Sequence, residues 1–167
     1  MRRYLCLPLT LLLLAGCGSG GGPAPGVLTE PPVLTVRCGE AAVEALRGAA
    51  SWSCDNGDGS WTSFEADSLH PLDEAARGLT PRLVFPVSAE TPEATLEWDT
   101  APDTVTVRRW SDDLWGDTGA SAEEVPVEDG AILLSENGCV YEVVAGWSSP
   151  ELWGGTAHYS FHAGPAA

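Results

Sequence analysis

His158 and His162, four residues apart, first raise the prospect of chemistry, because a helix would bring both imidazoles to one metal ion. Tyr159 and Phe161 alternate with them, however, so the segment reads as a strand. At about 3.3 Å per residue it would hold the two backbones about 13 Å apart, too far to share a metal within that strand. Both histidines are expected on the solvent face, with the two aromatics pointing inward. Asp55-Asn-Gly-Asp-Gly59 crowds oxygens as a calcium loop does, but Gly57 stands at the third position and no Glu follows at the twelfth. A hairpin turn with solvated acids is expected instead. No Gly-x-Ser-x-Gly elbow occurs, and no cysteine has a convincing histidine partner. His70, with Asp67 three residues before it, is the remaining acid–base candidate, and no nucleophile accompanies it. Adjacent acids such as Asp112-Asp113 and Glu123-Glu124 carry no information in so acidic a chain. The expectation is a protein that is not an enzyme, with no catalytic residues, no metal and no cofactor; a hydrolase or metal enzyme, resting on His70 and Asp67, is the minor alternative.

Cysteine and tryptophan are the other residues with something to offer. Cys38 and Cys54 flank what reads as one hairpin, and a disulfide closing that loop would contribute about 3 kcal/mol by constraining the unfolded chain. Cys139 would be left over, and without any Cys-x-x-Cys pair a zinc site has little support. Trp52, Trp98, Trp110 and Trp147 fall in strand-like segments and are expected in the core. Trp61, Trp115 and Trp153 sit beside turns, the last two in a repeated phrase, Leu114-Trp115-Gly116 and Leu152-Trp153-Gly154. Aromatics on loops of a rigid scaffold grip a sugar face or a peptide, which makes Trp115 and Trp153 the candidate ligand-binding residues. The competing structural role is that each indole folds back to plug an end of the domain.

The elements that must position these residues have period two almost throughout. Leu34/Val36/Cys38, Leu83/Phe85, Leu96/Trp98, Val105/Val107, Tyr141/Val143/Ala145/Trp147 and Tyr159/Phe161 each alternate with polar or small residues, as strands with one buried face do. Turn signals such as Asp55-Asn-Gly-Asp-Gly59, Ala101-Pro-Asp103 and Glu136-Asn-Gly138 separate them. Only Leu72 to Leu79 reads as a short helical turn. Many short strands at about ten-residue spacing predict an all-β fold, an antiparallel immunoglobulin-like β-sandwich, with a closed barrel as the competitor. The domain is expected over residues 33–163, preceded by a flexible Gly/Pro linker over 17–32.

The chain opens with Arg2-Arg3, an apolar run from Leu5 to Leu14, and Leu14-Ala-Gly-Cys17. That run is about half of what a bilayer span requires, so it reads as an export signal over residues 1–16. The ending resembles a bacterial lipobox, and the resemblance implies cleavage before Cys17, lipidation of its sulfur, and a protein anchored to the extracytoplasmic face of a bacterial cell membrane. Loss of Arg2 and Arg3 leaves six basic against 24 acidic residues, a net charge of −18. Such a surface repels nucleic acid and anionic headgroups, which excludes both as partners other than through the lipid anchor. Ser51-Trp52, Ala66-Asp-Ser68 with Pro71, Leu96-Glu-Trp-Asp99, Pro102 to Trp110, Tyr141 to Trp147 and Gly154 to Phe161 together resemble a group of small, largely uncharacterised Ig-like lipoproteins of Gram-positive bacteria. The resemblance spans about Val36 to His162 and implies the sandwich and the membrane setting, with no ligand residues to carry over. The expected role is a binding module for an extracellular protein or glycan of the envelope; a structural or assembly component is the alternative.

Overall fold

The computed structural model describes residues 26–87, 91–149 and 151–166. The export segment 1–16, the lipidation residue Cys17 and linker residues 18–25 lie outside the described residues. In chain order the elements are β1 (Leu34–Cys38), β2 (Ala41–Glu44), β3 (Leu46–Asp55), β4 (Trp61–Ala66), α1 (Glu74–Arg77) and β5 (Arg82–Phe85). They continue as β6 (Glu93–Trp98), β7 (Thr104–Ser111), a 3₁₀ turn (Asp112–Leu114), β8 (Glu123–Val125), β9 (Ala131–Leu133), β10 (Cys139–Ser149) and β11 (Trp153–Pro165).

Two sheets face each other, as the period-two pattern requires. One has the order β2-β1-β6-β9; the other runs β4-β3-β11-β10-β7-β8, with β5 pairing in parallel with the end of β11. The alternation read from the sequence is the alternation observed: Leu34, Val36, Leu83, Phe85, Tyr141, Val143, Trp147, Tyr159 and Phe161 are buried between the sheets. With β6 and β9 in one sheet and β7, β8, β10 and β11 in the other, the later strands follow immunoglobulin-type order, B and E against C, C′, F and G. Tyr141, near the start of β10, accepts a hydrogen bond on its hydroxyl from the Ser135 amide at 2.8 Å, the tie-back that sandwich domains place at this corner.

The core is aromatic at one pole. Trp52 stacks on Trp153 at 5.7 Å and meets Trp147 edge-on at 5.7 Å, while Trp98 touches both Trp147 and Tyr159. Gly155 makes this packing attainable. Its φ is +152°, and a Cβ there would lie 2.0 Å from the Ser51 carbonyl oxygen, so only glycine lets β11 approach β3 so closely.

Residues 26–32, expected to be part of a free linker, are docked on the sandwich instead. Pro31 and Pro32 are buried, and their segment offers carbonyls to side-chain donors. Trp153 Nε1 donates to Gly26, Trp52 Nε1 to Leu28, Arg47 to Pro31 and the Tyr159 hydroxyl to Pro32, at 3.2, 2.9, 2.8 and 2.6 Å. A proline-rich segment lacks amide donors for a ladder, yet its carbonyls still need partners, and indole, guanidinium and phenol groups supply them.

A second, smaller cluster covers the outer face of the larger sheet. Leu72, Trp110 and Val140 are buried there, with Leu114, Trp115 and Ala120 against them. The helical turn read over Leu72 to Leu79 appears as the single turn α1, capped by Asp73, whose carboxylate accepts from the Ala75 amide at 2.8 Å.

Candidate functional site

The outer face of the β10–β11 hairpin holds the most unusual side chain in the domain. Glu142 interrupts an apolar stretch, Val140 to Ala145, and the antiparallel register sets it opposite Ser160 and Arg108. It is buried, 5% exposed. Burying a carboxylate is costly unless it is paired, and both its oxygens are. Arg108 Nε donates to Oε2, and His158 Nδ1 lies 2.9 Å from Oε1. Arg108 in turn lies over the Trp110 ring at 5.3 Å, which fixes the guanidinium from behind.

Glu142 and His158 form the polar floor of a pocket of about 200 Å³. Leu46, Leu69, Pro71 and Leu79 form apolar walls, contributed by β3 and by the segment leading into and out of α1. Leu69 and Leu79 are 49% and 64% exposed, an arrangement that leaves a rim of apolar surface facing solvent. Apolar walls around one fixed polar pair are the composition of a ligand pocket. It is built to hold a charge in place: Glu142 cannot turn away without abandoning two partners.

The sequence reading did not single out this pair. The available signal was Glu142 itself, an acid with apolar neighbours on both sides in a strand otherwise destined for burial. Its link to His158 depends on the hairpin register, which sets Val144 opposite His158 and so makes Glu142 and His158 diagonal neighbours on one face.

The residues that were singled out stand elsewhere. Tyr159 and Phe161 do point inward, but His162 is not on a solvent face: it is 5% exposed, covered by the 3₁₀ turn and the end of the α1 segment. Its Nε2 lies 3.2 Å from Asp112 Oδ2, its Nδ1 is buried without a partner, and burial holds its pKa below the usual histidine value. His70 accepts the Leu72 amide on Nδ1 at 3.1 Å and meets Trp110 edge-on, an anchor for the loop. In the 55–59 turn, Asp55 and Asp58 accept the amides of Gly57 and Ser60, both at 2.9 Å, as hairpin-turn acids do.

Trp115 and Trp153 are half-buried and far from one another. Trp153 lies under the docked N-terminal segment beside Trp52; Trp115 packs on the outer-face cluster with Arg77 5.6 Å over its ring. Trp153 pairs with Ser149 at one end of β10, whereas the strand leading to Trp115 pairs through Ser111 with Cys139 at the other. Ten residues of strand, about 33 Å, separate those two ends, so the indoles cannot grip one small ligand together.

Cys38, Cys54 and Cys139 are free and buried. Cys38 and Cys54 do not flank one hairpin: Cys38 turns directly into β2 by pairing with Ala41, and Cys54 lies at the end of β3 in the other sheet, paired with Thr62 and Trp153. The chain from Leu28, beside Trp52, to Cys38 runs away from the Cys54 pole, which places the two thiols at opposite ends of the sandwich.

Compared with protein-family models, with curated proteins and with solved structures, the chain matches none.

Proposed function

We propose that this is a lipoprotein, anchored through Cys17 to the extracytoplasmic face of a bacterial membrane, whose sandwich is a non-catalytic binding module for a protein or glycan of the cell envelope. The anchoring half rests on the N-terminal charge, apolar run and Leu-Ala-Gly-Cys17 ending. The binding half rests on one observation, the apolar-walled pocket with the Glu142–His158 pair at its floor. A fixed carboxylate in such a pocket favours a ligand presenting a hydrogen-bond donor or a cationic group beside an apolar part.

Titration of the protein with cell-wall glycan and peptide fragments tests this. Binding that Leu79→Ser weakens, with folding intact, supports the module; equal affinity in the native protein and the variant would sink the assignment of this pocket. A purely structural or assembly role is favoured by a different feature, the edge strand β4, whose residues are all exposed and include Trp61 at 48% and Phe64 at 38%. Crosslinking through β4 to an envelope protein, with no response to glycan or peptide, selects that role.

A further inference from the structure

Arginine is scarce in the described domain, and its distribution is informative. Arg37, Arg47 and Arg109 each lie 2.7 Å from a carboxylate, and Arg108 is bound to Glu142. Arg82 has no ion pair among the described residues, and Arg77 has only Glu74, 3.7 Å away on its own helical turn. In a chain with 24 acidic residues, a guanidinium without a close carboxylate is the exception. These two arginines line the same small pocket, of about 50 Å³, with Thr80, Asp112, Trp115 and His162. Arg77 is held there by its position over the Trp115 ring. His162, more than nine-tenths buried, also lines the pocket, and its Nδ1 has no partner.

We infer that this pocket is an oxyanion site, which takes a phosphate or carboxylate group between Arg77, Arg82 and His162. Guanidinium forks match the paired oxygens of either group. A buried nitrogen without a partner is costly, and an oxyanion would give His162 Nδ1 one once that nitrogen is protonated. Asp112 is the one carboxylate lining the pocket, and it has a role there. Its contact with Nε2 makes that nitrogen the donor, so Nδ1 can donate to an anion only when the ring carries both protons. Binding therefore takes up one proton at His162. The charged groups facing the ring are Asp112 from the 3₁₀ turn, Arg82 from β5 and Arg77 from α1. The site lies on the other side of α1 from the Glu142 pocket, since Ala76 and Leu79 line one and Arg77 and Thr80 the other.

The test is NMR of the full chain in detergent, whose three histidines give separable ring signals. Sodium phosphate and sodium acetate are titrated separately against sodium chloride of equal ionic strength. Saturable shifts of His162, with His70 and His158 unmoved and the His162 pKa raised, support the site, and the tighter of the two anions identifies the group it prefers. Arg82→Ala, at an exposed position, should fold normally and weaken the tighter anion at least about tenfold, with Arg82→Lys intermediate. A His162 response that chloride reproduces, or undiminished binding in folded Arg82→Ala, would overturn the proposal.

Discussion

At the scale of single residues, two buried ionisable groups set the sharpest expectations. Replacing Glu142 by Ala removes the shared partner of Arg108 and His158 and leaves a hole at the pocket floor. Because Arg108 is itself half exposed, the loss should be about 2 kcal/mol rather than the larger cost of a fully buried pair, measured as a shift in the urea midpoint. His162 gives a pH dependence whose sign is determined by burial. Its folded pKa lies below the ordinary 6.5, so the unfolded chain binds a proton that the folded chain does not. The domain should therefore lose stability as pH falls through and below about 6.5. Unfolding curves at pH 7.5 and 5.5 should diverge in the native protein and draw together in His162→Gln; identical curves in the native protein would contradict the assignment. Neither expectation was legible from composition. Glu142 looked like one more acid, and His162 looked solvated because alternation assigns it to the outer face but says nothing of what covers that face.

At the scale of elements, alternation identified β1, β5, β6, β7, β10 and β11, each with one side against the core, but not β4, whose residues are all exposed, nor the short β2, β8 and β9; a single turn of helix was visible in its Asp73 and Gly78 ends. It could not show how successive strands are shared between sheets. Cys38 and Cys54 are close in sequence and separated in space because β1 turns into β2 while β3 joins the other layer. All three thiols should alkylate slowly in the native protein, where burial pushes Cys38 and Cys139 above the ordinary thiol pKa, and fully in denaturant. Mass spectrometry showing a bridged pair in the denatured, unreduced chain would overturn this. The docked segment before β1 gives a second test. Trp153→Ala removes both the stack on Trp52 and the donor to Gly26, and should cost about 2 kcal/mol, less than a fully buried tryptophan because the ring is half exposed. If Trp153 served only a ligand, the thermal midpoint would not move.

At the scale of the whole molecule, the proposed anchoring and the proposed recognition have separate tests. Cys17→Ser should release the protein from the membrane fraction while leaving the sandwich unchanged, and Leu79→Ser should do the reverse, weakening ligand while altering stability by no more than about 0.5 kcal/mol. What the sequence determined by itself was local or additive: the export-like N-terminus, the net negative charge, the strand periods, and a core drawn from their inward residues. Each depends on neighbours within a few positions or on a sum over the chain. The tertiary structure alone decided which residues share a pocket. Glu142 meets His158 through hairpin register, Arg82 stands opposite His162 because β5 runs parallel to β11, Arg77 lines the same pocket from α1, and Trp115 and Trp153 part because β10 is long. Such meetings depend on how sheets are ordered and what packs over them, and they are driven by burial of surfaces distant in sequence, which no local spacing records.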